Sequence, residues 1–131
     1  MDNFAVNDML ANGLLQRVSR DNVEQFLESD ELGVLFFAGG KSQRADAHDV
    51  AVALREILKD YPGSVRAGLV DEQDEAELQP RFRILVSPSL ALVHGGATLE
   101  VIPRVRDWGD YARAFQRYLG NPRRNHAMET H

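Results

Sequence analysis

The stretch Val34-Leu35-Phe36-Phe37-Ala38-Gly39-Gly40-Lys41-Ser42-Gln43-Arg44 decides the fold. Its first five residues are continuously apolar, as a strand covered on both faces requires. A polar, glycine-led loop from Gly39 to Ala45 follows. A helix comes next, with Val50, Leu54, Ile57 and Leu58 at helical spacing and Tyr61-Pro62-Gly63 at its end. Proline cannot continue a helix, and glycine suits the left-handed exit. Buried strand, loop and long helix are the first half of a parallel crossover.

Working outward, Val65 to Val70 reads as the next strand and Glu72 to Phe82 as a short acidic helix with Pro80 near its end. Leu90 to Val93 and Thr98 to Ile102 flank His94-Gly95-Gly96, the pattern of an antiparallel hairpin. Asp107 is placed to cap a last helix carrying Trp108, Tyr111, Phe115, Tyr118 and Leu119, of which Trp108, Tyr111 and Phe115 read most simply as core. Upstream, Phe4 to Leu10 reads as an N-terminal helix and Leu14 to Val18 as an edge strand open to pairing with a second copy. A helix through Leu27 follows, with Ser19 or Asp21 as its cap. The order is β-α-β-α-β-α-β-β-α with an extra helix in front. It predicts an α/β protein with a mixed central sheet between two helical layers, in one domain over residues 1–119. The polar segment 120–131 is expected to be a flexible tail.

Composition narrows the function. The chain has 131 residues, 44% of them hydrophobic, and a formal net charge of −5, which argues against a general nucleic-acid binder. No apolar run approaches the roughly 20 residues that span a bilayer, so no membrane insertion is expected. The start, Met1-Asp2-Asn3-Phe4, lacks the basic-then-apolar pattern of a signal peptide, which gives a cytoplasmic expectation. There is no cysteine at all. Thiol–disulfide exchange, thiolate metal sites and iron–sulfur ligation by this chain are therefore excluded.

The order of elements resembles that of thioredoxin. Leu35-Phe36-Phe37-Ala38 is similar to the thioredoxin strand Asp-Phe-Trp-Ala. Pro80-Arg81-Phe82, then six residues to Pro88, is similar to that family's Pro-Lys-Tyr followed by its cis-proline. Gly95-Gly96 stands in the place of its Asn-Gly turn. The redox cysteines are missing, Leu35 stands where thioredoxins keep a buried aspartate, and the loop after Ala38 is longer. The resemblance thus implies a thioredoxin-like three-layer sandwich without redox chemistry. Within that superfamily the chain resembles the HyaE/HupG/HoxO family of hydrogenase maturation proteins. The residues that carry this are Phe4 to Leu10, the acidic run Asp71 to Glu77, Ser87-Pro88-Ser89-Leu90 and Arg106-Asp107-Trp108.

That resemblance implies a non-catalytic chaperone with no cofactor. Its partners would be the small-subunit precursor of an uptake nickel–iron hydrogenase, with its twin-arginine signal peptide, and other maturation proteins. The alternative is a redox-inactive interaction module in another assembly or stress pathway. Two candidate sites follow. Carboxylates bind guanidinium groups bidentately, so Glu72, Asp74, Glu75 and Glu77 are expected to form an acidic docking surface, although acids also favour the first turn of a helix. Ser87 and Pro88, with the proline cis as in the related family, would lay backbone along a groove beside the former redox loop, ready to pair with an extended segment. No metal site is expected: His48 has no second histidine near it, and His126 and His131 fall in the tail.

Overall fold

In the computed structural model, which describes residues 3–122, the chain runs through five strands and five helices. In order they are α1 (Phe4–Ala11), β1 (Gln16–Val18), α2 (Val23–Leu27), β2 (Leu32–Phe37), α3 (Arg44–Asp60), β3 (Val65–Val70), α4 (Glu75–Leu78), β4 (Ser89–His94), β5 (Ala97–Pro103) and α5 (Trp108–Leu119). The strands form one sheet in the order β1-β3-β2-β4-β5. β1, β3 and β2 run parallel, and β4 and β5 antiparallel. This is the mixed sheet of a thioredoxin-like α/β sandwich, in the element order that the sequence predicts.

The two helical layers follow from alternation along the central strands. All six residues of β2 are buried. Val34 and Phe36 point to one face, where they meet Met9 of α1, Leu54 of α3 and Phe115 of α5. Leu35 and Phe37 point to the other, toward Phe26 of α2, Leu78 of α4 and Phe82. Leu90 and Leu92 against Ala91 and Val93 repeat the division in β4. Each large side chain so buried stabilises the fold by about 1.5–3 kcal/mol.

Four local expectations are corrected. The segment 72–82 is not one helix but the 3-10 turn Glu72–Asp74, the single turn α4 and the 3-10 turn Pro80–Phe82. Asp74 and Glu75 turn inward to hydrogen-bond elsewhere, Pro80 has no N–H to donate, and Arg83 stops the run in a left-handed conformation at φ 63°. Ser19 and Asp21 do not cap α2. Asn22 precedes it, and its side chain accepts instead from the Ser19 N–H at 2.8 Å. Trp108 is not core: it is 46% exposed, while Tyr111 and Phe115 on the same helix are buried. The edge strand is shortened to Gln16–Val18, and the Arg17 carbonyl already accepts from Asn22 Nδ2 at 3.2 Å. Residues 123–131, including His126 and His131, lie outside the described residues.

Gly68 of β3 leaves room for the Val18 side chain of β1. A Cβ on Gly68 would fall 2.4 Å from Val18 Cγ2 and 3.1 Å from the Phe26 ring. Gly68→Ala should therefore destabilise the protein by about 1–3 kcal/mol in urea unfolding through overpacking. Adding Val18→Ala should recover part of that loss. Purely additive costs in the double variant would refute the steric explanation.

Candidate functional site

Strand register gathers four connections at one end of the sheet. Phe37 at the end of β2 pairs with Ser89 at the start of β4, and Ser89 pairs with Pro103 at the end of β5. The Gly39 loop, the Ser87–Pro88 segment and residues 104–106 therefore lie together. β3 runs parallel to β2, which brings Asp71 and Glu72 to the same end. Read along the strand order, this end presents Asp71–Glu72, then Gly39–Gly40, then Ser87–Pro88, then Arg104–Arg106. In open α/β sheets, ligands bind in the crevice beyond the carboxyl ends of the parallel strands.

Such a crevice is present. One cleft of about 510 Å³ is walled by Arg17, Asp71 and Glu72 and floored by Leu69 and Val70. A second of about 300 Å³ reaches Val6, Lys41 and Arg44. Both are lined by Ala38, Gly39, Leu69 and Glu72, so the two clefts adjoin at these residues, and together they are called the groove below.

The loop over this groove requires glycine at position 39. Gly39 has φ +84°, and a Cβ there would lie 3.0 Å from Ser87 Cβ and 2.8 Å from Gln43 Oε1. A Cβ on Gly40 would lie 2.9 Å from Glu72 Oε2. The loop thus runs against both Ser87 and Glu72. The Ser87–Pro88 peptide bond is cis, and the Pro88 carbonyl accepts from the Arg104 N–H at 2.8 Å.

Glu75 ties the two sides together from beneath. Its side chain is buried, with 6% of the residue exposed. Oε2 accepts from the Gly39 N–H at 2.9 Å, and Oε1 accepts from the Ser87 hydroxyl at 3.2 Å. Gln79 Nε2 donates to Ser87 Oγ at 3.2 Å. Burial pushes the Glu75 carboxyl above the ordinary glutamate range. Bonds from the Gly39 amide and the Ser87 hydroxyl pull it partly back, and the nearby Glu72 charge raises it.

The acidic run is therefore divided. Asp74 is also buried, and its carboxylate accepts the Arg20 N–H at 3.0 Å. Glu77 is exposed and paired with Arg20 at 3.3 Å. Glu72 is exposed in the groove, beside Asp71. Of the six residues singled out from sequence, Glu72, Glu75, Ser87 and Pro88 gather at the Gly39 loop, whereas Asp74 and Glu77 face the Arg20 side. Sequence reasoning missed Leu69, Arg17 and Asp71 as groove residues. The signal available was their place at the carboxyl ends of two parallel strands. His48 Nδ1 lies 3.3 Å from Asn3 Oδ1 at the start of α1, and His94 Nε2 lies 3.1 Å from the Asp30 carbonyl. Among the described residues no three metal-ligating side chains cluster, and no helix is long and apolar enough to cross a membrane.

Comparison with known proteins bears on what this groove serves. The family model described as "Hydrogenase-1 expression protein HyaE" matches residues 5–111. The chain is similar to a hydrogenase expression/formation protein HupG of Rhizobium leguminosarum bv. viciae, at 35% identity over 78% of this chain and 71% of the relative. It is similar to another HupG, from Bradyrhizobium diazoefficiens, at 32% identity over 89% and 81%. A hydrogenase expression/formation protein HoxO of Azotobacter vinelandii is 38% identical over 70% of this chain and 61% of its own.

The Glu75 clamp predicts a pH signature. An acid whose folded pKa lies above its unfolded one contributes stability at low pH. That contribution is lost as pH rises from the ordinary glutamate range through the raised folded value. Glu75→Gln imitates the protonated form, so its stability relative to the parent should improve between acid and neutral pH in urea unfolding. A pH-independent difference would contradict the assignment. Glu75→Ala leaves the Gly39 N–H without its acceptor and should cost about 1–3 kcal/mol.

Proposed function

The chain belongs to the HyaE family of hydrogenase expression proteins, and from that premise we propose that it is a non-catalytic chaperone of hydrogenase maturation. In this reading it works in the cytoplasm. It holds the small-subunit precursor, through the twin-arginine signal peptide, the mature part or both, before export. Other maturation proteins would join the same complex.

The observation that supports it is the exposed Glu72, shared by both halves of the groove, beside Asp71 and above the apolar floor of Leu69 and Val70. A twin-arginine leader presents adjacent guanidinium groups next to an apolar segment. Carboxylates bind guanidinium in a planar, bidentate manner, and an apolar floor accepts the segment that follows. The chain has no cysteine, which excludes thiol chemistry, and in this reading affinity and timing are the function. The site residues of this reading are Glu72, Ser87 and Pro88, with Glu75 and Asp74 supporting the walls from inside. Glu77 is the outlying acid.

Binding isotherms of the precursor, with and without its leader, test this. Glu72→Gln with Asp71→Asn should weaken binding by roughly tenfold or more, the loss expected for charge-assisted hydrogen bonds. The same change should flatten the salt dependence. Unchanged affinity at both low and high salt would remove Glu72 as the contact. Equal affinity without the leader would move the contact to the mature subunit.

A further inference from the structure

Beneath the acids that the groove exposes, Glu75 lines the first cleft together with Asp71 and Glu72, yet only 6% of the residue is exposed. Among the described residues no lysine or arginine forms an ion pair with it. The groups that face it come from several elements. The loop after β2 offers the Ala38 and Gly39 amides, and the segment before β4 offers the Ser87 hydroxyl. The 3-10 turn before α4 offers the Glu72 carboxylate. Asp71 after β3 and Arg17 on β1 line the same cleft. Asp74, its neighbour in the chain, is turned to the Arg20 amide instead.

The hydrogen bonds around Glu75 suit either protonation state. Oε2 accepts from the Gly39 N–H at 2.9 Å and remains an acceptor in the neutral acid. Oε1 lies 3.2 Å from Ser87 Oγ. A hydroxyl both donates and accepts, so Ser87 gives its proton to the carboxylate or takes one from the carboxyl. Gln79 Nε2 donates to Ser87 Oγ at 3.2 Å and occupies one lone pair, which leaves the second for the carboxyl proton. The clamp between the Gly39 loop and Ser87 therefore persists whether Glu75 is neutral or charged. What changes is the charge beside the cleft. Burial first, and then the Glu72 charge, favour the neutral acid against the Gly39 and Ser87 bonds.

We propose that Glu75 is a specificity-determining residue of the groove: when Glu72 holds a guanidinium group in the first cleft, Glu75 ionises and gives its proton to solvent, so that cation binding and proton release are linked. The inference rests on the reading above, in which the groove takes a guanidinium-bearing segment. A bound cation acts twice. It offsets the Glu72 charge that opposes ionisation, and it attracts the carboxylate that forms. A ligand without a cation does neither. A partly buried pair is screened less than a surface one, so salt removes little of this effect. A proton released on binding means that affinity rises with pH. The rise is confined between the Glu75 midpoint in the complex and its higher midpoint in the free chain. For one proton it is at most about tenfold per pH unit. Above the free-chain midpoint Glu75 is ionised in both states and affinity levels off.

The probe is a short synthetic peptide with two adjacent arginines followed by leucines, titrated into the full chain by calorimetry in buffers of different ionisation enthalpy. Proton release is expected, with an affinity that climbs several-fold across the window. Glu75→Gln should stay at the parent's acid-side affinity throughout and release no proton. The same peptide with citrulline for arginine should release none from the parent. Carboxyl NMR resonances of the parent give a reading that needs no variant: saturating peptide should lower the Glu75 midpoint. Glu72→Gln should lower that midpoint in the free chain. Peptide binding without proton release, or a Glu75 midpoint unmoved by bound peptide, overturns the inference and leaves the Glu72 contact standing. A pH climb retained in Glu75→Gln, or equal release with the citrulline peptide, overturns it as well. Absence of binding at every pH overturns both the inference and the contact on which it rests.

Discussion

Everything in this molecule depends on β2 being covered on both faces. Six consecutive residues from Leu32 to Phe37 are buried. Such a strand is stable only between two helical layers, and its neighbours must be strands on both sides to pair its backbone. β3 meets this need in parallel and β4 in antiparallel. The parallel pairing demands a crossover, which α3 provides. The antiparallel pairing demands that β4 begin where β2 ends. From these two demands alone, the loop after Phe37, the segment before Ser89 and the turn after Val70 are forced to one end of the sheet. The groove is a consequence of how a doubly buried strand finds partners.

Features set by local chemistry were legible in the sequence. The continuous apolar run, the helical spacing of Val50, Leu54, Ile57 and Leu58, and the glycine pair between two alternating strands each have one dominant reading, and the elements they predict are present. Features that depend on distant contacts were less legible. Asp74 and Glu75 look like any acids in a first helical turn. Their partners, the Arg20 and Gly39 amides, are 54 and 36 residues away in sequence. Nothing local marks those two carboxylates as internal and Glu72 as external. Trp108 has the spacing of a core aromatic relative to Tyr111 and Phe115. It is the first residue of its helix, however, and remains 46% exposed.

The division of the acidic run shows how one stretch of sequence serves two purposes. A buried carboxylate is expensive unless its lone pairs are met. Glu75 meets this by accepting from a backbone amide and a hydroxyl that belong to opposite sides of the groove. Its desolvation cost is offset by bonds that fix the spacing between the Gly39 loop and Ser87. Glu72, at the start of the preceding 3-10 turn, and Glu77, within α4, are exposed instead. In a chain without cysteine, this polar clamp anchors a loop that no disulfide holds. Replacing the clamp with an apolar side chain would leave the Gly39 amide buried and unmatched.

The sheet end then acquires a direction. Strand order sets Asp71 and Glu72 on one side of the glycine loop and Arg104 to Arg106 on the other, with Pro88 between them. Within the clefts the acids stand among cations: Arg17 lines the first with Asp71 and Glu72, and Lys41 and Arg44 line the second with Glu72. Thus the order β1-β3-β2-β4-β5, required to bury β2, also decides which charges meet at this end of the sheet.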